Sequence, residues 1–447
     1  MGNRMNRSLR KYGIDMPGTA RVEVRFGCNT LMAGGCPMGT WDRRKAMQGD
    51  RRLWSLRNSE MGPTNARYAG GLGHVFGMAF AALVLLGGPP AAHTAEPAPN
   101  VPVLVPITGF LAAEGSSQRN GALLALQNPP AGVRPRFAVT DTGTSPEGAV
   151  NALERALSDG DVTVVVASML GTQMLAMLPI ALAQKVPLIT MSGTADITRK
   201  GNPYVFRFFP ADSVVKGAQV KYAIEAHHIQ KPAVLYQTTA YGQSGHTEIL
   251  AALAAAGIKP VYEDALDVGV KDMRPVIAKA VASGADSLLL QLHGGPTALF
   301  LKAVAAMDVH LPIVAGSALS QPATVALLEP AEIKGACAET GSSPISGETP
   351  AMRDFLARYR AAFHTDPDGF ALGQYDATMM ALQAVAKGAT TAEAVTKALA
   401  TDSYQGVAMT YKSDGHGNMA HSAVIVCFDG TSRVPAVVRH YDFPTTP

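Results

Sequence analysis

A chain of 447 residues, 47% apolar and 16% charged, has room for two α/β domains and enough apolar side chains for their cores, which excludes a disordered or fibrous protein. Four cysteines are too few for a disulfide scaffold. The formal charge of +3 is unevenly spread: residues 1–70 carry 13 Lys/Arg against 5 Asp/Glu, 71–95 carry none, and the rest carries 25 against 30, so no nucleic-acid partner is expected.

Residues 75–86 are an unbroken apolar run, followed by Gly87-Gly88-Pro89-Pro90 and by the small residues Ala91, Ala92 and Ala95. A short apolar core, a helix break and small residues make a secretory signal peptide, expected over about 61–95 with cleavage after Ala92 or Ala95. Spanning a bilayer takes about 20 apolar residues, so the run is short for an anchor, although an uncleaved span beginning at Gly70 is the second reading. Residues 1–60 show no periodicity, whereas Met61, Arg67 and the apolar run form a complete leader by themselves. Translation is therefore expected to start at Met61, with a twin-arginine leader built on Arg51-Arg52 as the alternative.

From residue 100 strands and helices alternate. Apolar stretches at 101–106, 137–140, 162–167, 187–191 and 204–208 read as strands, and 115–126, 146–157 and 172–184 as helices between them. Ser145-Pro146-Glu147 is an N-cap, a first-turn proline and an acidic first turn. The β-branched run at 162–167 fits a strand buried on both faces. The pattern then restarts: helices at 213–226, 245–256, 273–283 and 296–307 alternate with strands at 233–237, 261–266, 287–292 and 312–315. Helices at 350–363 and 375–387 follow, and 407–411 and 422–428 read as a hairpin around the turn 413–418. Two βα series predict an α/β protein with two lobes, each a mostly parallel sheet flanked by helices, and a ligand site at the carboxyl ends of the strands.

Catalytic signatures are missing. There is no zinc-protease His-Glu pair and no phosphate-binding Gly-Lys-Ser/Thr loop, and Gly242-Gln243-Ser244-Gly245 lacks the spacing of a nucleophile elbow. His227-His228 reads as a surface helix end rather than a metal site. Cys337 and Cys427 remain after leader removal; they either form one disulfide or stay apart. No enzyme activity, cofactor or metal is expected.

Several segments resemble the type 1 periplasmic solute-binding proteins of the leucine/isoleucine/valine-binding family. They are Val105-Pro106-Ile107-Thr108-Gly109 with Ala113-Glu114-Gly115 and Asn120-Gly121-Ala122; Val186-Pro187-Leu188-Ile189-Thr190 with Ser192-Gly193-Thr194; Phe206-Arg207 and Asp212; Ala240-Tyr241-Gly242-Gln243; and Gly284-Ala285-Asp286. Their order and spacing cover residues 100–430. The resemblance implies two lobes joined by three crossovers, lobe one from 96–212 plus 340–406 and lobe two from 213–339 plus 407–447, after a leader at 1–95.

It also implies a set of ligand-binding residues. The family's serine at the start of the third helix falls on Gly171, with Thr172 beside it; this pair either receives a ligand carboxylate or only starts a helix. Ser192, Gly193 and Thr194 match the loop that meets the ligand's carboxylate and ammonium. Tyr241 matches a cleft tyrosine and His293 stands where the family has a second one. The acid that faces the ammonium falls near Ser317 or Ala318, both neutral. Glu114, where the family often has an aromatic, either substitutes for that acid from the opposite lobe or is an idle surface carboxylate. Without such a substitute an aliphatic amino acid should bind weakly or give way to a ligand without an amine.

The expected function is the extracytoplasmic solute-binding component of an ABC importer: a periplasmic monomer that closes on a small amino-acid-like or related polar or acidic metabolite and is recognised by a permease in the inner membrane. A ligand sensor acting with a separate membrane partner is the alternative. A repressor with these lobes would carry a helix-turn-helix ahead of them, which residues 1–95 do not resemble, and a hydrolase has no site to point to.

Overall fold

Short apolar strands alternate with helices from Val103 onward in the computed structural model, which describes residues 98–443; the leader and its cleavage site lie outside the described residues. The first series is β1 (Val103–Val105), α1 (Ala112–Gln127), β2 (Val139–Asp141), α2 (Pro146–Ser158), β3 (Val165–Ala167), α3 (Gly171–Gln184), β4 (Leu188–Thr190), α4 (Asp196–Arg199) and β5 (Val205–Arg207). Its strands form one parallel sheet in the order β2-β1-β3-β4-β5. The β-branched run is buried on both faces: Val164 and Val166 enter one core with Phe206 and Phe208, Val165 and Ala167 another with Leu153 and Met174. Ser145 caps α2, its Oγ accepting from the Gly148 N–H at 3.0 Å, with Pro146 in the first turn.

The second series is α5 (Asp212–His227), β6 (Pro232–Gln237), α6 (Ala240–Ala255), β7 (Tyr262–Leu266), α7 (Arg274–Ala282), β8 (Ser287–Gln291), α8 (Gly294–Ala306), β9 (Ile313–Ala315), α9 (Pro322–Val325) and β10 (Cys337–Thr340). Helix α6 starts at Ala240 rather than 245, because Thr239 caps it through the Gly242 N–H. The chain then returns: α10 (Pro350–Phe363) and α11 (Gly369–Ala386) pack on α1 through Leu124, Phe355, Tyr359 and Leu372. After α12 (Ala392–Thr401) come β11 (Ser403–Gln405), β12 (Thr410–Lys412), β13 (Ser422–Cys427) and β14 (Ala436–Asp442). The second sheet runs β14-β13-β10-β9-β8-β6-β7.

The expected hairpin between 407–411 and 422–428 does not form. β12 pairs with β11, and β13 lies between β10 and β14, so the chain enters the second sheet at Ser422 rather than at Val407. The cause is burial of Tyr411 against Phe208, reinforced by Asp376, whose carboxylate accepts from the Val407 and Ala408 N–H groups and the Tyr411 hydroxyl.

Two features hold the second lobe. Cys337 and Cys427, directly opposed on β10 and β13, form a disulfide. Lys216 on α5 donates to Glu339 on β10, and both side chains are wholly buried. Glu339 also accepts from the Ser317 N–H at 2.9 Å.

Candidate functional site

The parallel strands of both sheets direct their carboxyl ends toward one crevice, where backbone groups and loop side chains face a common space. A cavity lies there, lined by residues of both lobes. The first lobe contributes Leu111 and Glu114 at the start of α1, Met169 and Leu170 after β3, and Gly193 and Phe209. The second contributes Tyr241, His293, Gly294, Ser317 and Gln321. Phe370 on α11 completes an apolar wall on the first-lobe side.

Of the residues singled out in the sequence, Glu114, Gly193, Tyr241, His293 and Ser317 line this cavity. Gly171, Thr172, Ser192 and Thr194 stand behind it. A Cβ on Gly171 would come 2.1 Å from Thr194 Oγ1, so the threonine hydroxyl occupies the volume a serine would need. Thr172 is half-buried, and Ser192 is buried with its N–H on Thr190 Oγ1. Gly171→Ser is therefore expected to destabilise the fold by about 1–3 kcal/mol through overpacking. Chemical unfolding should show much of that loss recovered when Thr194→Ala is added; no recovery would point to another obstacle.

Arg207 fixes the loop after β4. Its guanidinium donates to the carbonyls of Gly193 at 2.8 Å and Thr194 at 2.7 Å, and further to Thr198 Oγ1 and Asn418 Oδ1. The Thr194 hydroxyl and the Tyr241 hydroxyl are both buried without a partner among the described residues. The Tyr241 ring lies 4.9 Å from that of His293, which meets Phe110 of the first lobe edge-on at 5.3 Å.

The electrostatics of the cavity are set by burial. His293 is pushed down to about 4 by desolvation, and its Nε2 lies 3.1 Å from Thr239 Oγ1. Tyr241 is raised well above its usual value, by burial first and the Glu339 charge next. Burial pushes Glu114 up to about 7, and the nearby Asp368 charge adds to it. No Lys or Arg lines the cavity, and the described residues contain no group of three or more His, Cys, Asp or Glu that could hold a metal ion. The lobes also meet beside the cavity, where Ser244 Oγ accepts from the Ala195 N–H at 2.9 Å and Arg199 pairs with Glu248 at 2.7 Å.

Sequence reasoning missed the apolar wall and Gln321. Met169, Leu170 and Phe209 directly follow strands, which is a usable signal. Phe370 carries none, since only the return of the chain to the first lobe brings it there.

The profile of the periplasmic binding protein family matches residues 99–431. A leucine-, isoleucine-, valine-, threonine- and alanine-binding protein of Pseudomonas aeruginosa is 30% identical over 185 residues, which is 40% of this chain and 49% of that protein; the chain thus spans about half the length of that relative. The substrate-binding protein of a branched-chain amino acid transporter from Streptococcus pneumoniae, solved with isoleucine, superposes with a TM-score of 0.69 at 22% identity, covering 76% of this chain and 99% of that one. A solute-binding protein of an ABC transporter from R. palustris, solved with benzoate, gives 0.70 at 19% identity, covering 77% and 96%. At these identities the structures share a fold with this chain.

Proposed function

Because the chain belongs to the periplasmic binding protein family, we propose that it is the extracytoplasmic solute-binding component of an ABC importer, taking a small amino-acid-like or related polar or acidic metabolite into the inter-lobe cavity. The observation that carries this reading is a cavity lined by both lobes, with the buried Tyr241 hydroxyl left without an internal partner at its wall. A buried polar group without a partner costs about 1–3 kcal/mol, and a ligand that hydrogen-bonds it removes that cost. Thr194 and Tyr241 act from opposite lobes, Thr194 behind the cavity wall and Tyr241 on it. Isoleucine and benzoate in the two related structures fit the class of ligand proposed.

The work is conformational. Ligand contacts to both lobes exist together only when the cleft is closed, so binding shifts the hinge equilibrium. The permease then distinguishes the closed from the open form. Export through the leader at 61–95 would place a monomer in the periplasm. Thermal-shift screening of the purified protein against amino acids, amides and aromatic or aliphatic acids tests the reading. At least one compound should raise the melting temperature in proportion to the logarithm of its concentration, and Tyr241→Ala should abolish the rise. A flat response to every class, or a rise untouched by Tyr241→Ala, would count against the cavity.

A further inference from the structure

Helix α6 of the second lobe grips the short helix α4 of the first at both of its ends. Ser244 Oγ accepts from the N–H of Ala195, the residue that precedes α4, at 2.9 Å. One turn further along α6, Glu248 Oε1 pairs at 2.7 Å with Nη2 of Arg199, the last residue of α4. Residues four apart share a helix face, so the two contacts form one clamp. Its halves belong to different sheets: α4 lies between β4 and β5 of the first, α6 between β6 and β7 of the second. None of the four residues lines the cavity.

Both helices are nevertheless fastened to the cavity wall. Helix α4 continues the segment Ser192-Gly193-Thr194, whose Gly193 and Thr194 carbonyls are held by Arg207. Helix α6 carries Tyr241 in its first turn, and Gln291 Nε2 of β8 donates to the Tyr241 carbonyl at 3.1 Å. At Gly242 the helix meets β6 so closely that a Cβ would come 1.9 Å from the Gln237 carbonyl oxygen. Tyr241, Ser244 and Glu248 are thus seated on the second sheet and move with it as one body.

We propose that Ser244 and Glu248 are positioning residues of the solute site: they close the cleft before a ligand arrives, by holding α4 and the loop ahead of it against α6. The proposal rests on the solute-binding reading above and deepens it, adding a determinant of affinity that touches no ligand. Closure by the clamp reduces what a ligand must supply to bring the lobes together. Loss of the clamp therefore weakens every ligand by one common factor, whatever its chemistry. The ionic half is open to salt: Glu248 is 9% exposed, but the Arg199 side chain is 54% exposed, so mobile ions reach one side of the pair. Arg207 and Asp212, which frame the passage of the chain from the first sheet to the second, also feel the Glu248 charge.

Met169 gives a reading of closure away from the clamp. It lines the cavity from the first lobe, whereas Met174 and Met177 on α3 are buried in the core of that same lobe. Methionine-methyl NMR of the purified protein without ligand, with an inert gadolinium chelate in solution, tests the proposal, because the chelate relaxes the Met169 methyl in proportion to the open population. Ser244→Ala combined with Glu248→Gln should raise that relaxation about tenfold, and each substitution alone about threefold. Met174 and Met177 should not change, and Ser244→Thr, which keeps the hydroxyl, should match the wild type. In 1 M salt the wild type should gain about threefold at Met169 and Glu248→Gln nothing; the wild-type gain decides the matter if the double variant does not fold. A Met169 methyl as accessible in the wild type as in the variants would mean that the lobes stand open despite the clamp. A rise shared by Met174 and Met177 would mean that the substitutions only loosen the first lobe. Either result overturns the proposal. No ligand enters the measurement, so both leave the solute-binding reading to the thermal-shift screen.

Discussion

Lys216→Met is expected to cost about 3–5 kcal/mol of stability at pH 8. Lys216 and Glu339 are both wholly buried, and the substitution leaves the carboxylate without its cation while Asp212 stays close by. One oxygen of Glu339 already lacks a hydrogen-bond partner. Burial raises the pKa of Glu339, and Lys216 is the chief influence holding it down. Without the lysine the folded-state pKa rises further, so the folded variant takes up a proton that the unfolded chain does not. Its stability is then greatest at low pH and is lost as pH rises through the new folded pKa. Urea unfolding at pH 8 and pH 5 should show the deficit shrinking at the lower value. Lys216→Met combined with Glu339→Met should recover most of the loss, because apolar replacement of a whole buried pair is often neutral. A pH-independent deficit would mean that the protonation state of Glu339 does not change when Lys216 is removed.

Arg207→Met should be comparably damaging, by about 3–5 kcal/mol, and should also loosen the cleft. The side chain is 1% exposed and serves acceptors on three segments, the loop at Gly193 and Thr194, Thr198, and Asn418 in the turn that precedes β13. Burial lowers its pKa only to about 10, so it stays cationic at neutral pH. Arg207→Lys retains the charge but not the planar fork, and should fall between wild type and Met. Hydrogen exchange should quicken at 192–198 and at 414–419 together. Faster exchange at only one of the two would mean that Arg207 does not couple them.

The βα alternation was legible because each early strand is a short apolar run buried on both faces, and because caps such as Ser145 mark helix starts. β10 was not, since Cys337-Ala338-Glu339-Thr340 holds a charge that reads as exposed; only Lys216, far away in sequence, makes it a core strand. β14 is an edge strand with Arg439 and His440 exposed, so it shows no clean apolar face. In the site, Tyr241, His293, Ser317, Gly193 and Glu114 were reached through motif order. Gly171 reads as a lost serine, and the Thr194 hydroxyl from another loop stands in the volume that a side chain there would need. Gln321 could not be found, because only the fold brings it to the cavity wall.

The bond between Cys337 and Cys427 has a mechanical meaning for the hinge. It rivets together the far ends of the two strands that carry the chain out of the second lobe and back into it. Residues 338–426, with α10, α11 and α12, become a closed ring hung from one anchorage. A protease cut inside that ring leaves both fragments tethered, and rotation of the lobes must twist the ring's two straps in concert. An oxidising compartment preserves that linkage; a reductant would free each strap to bend alone.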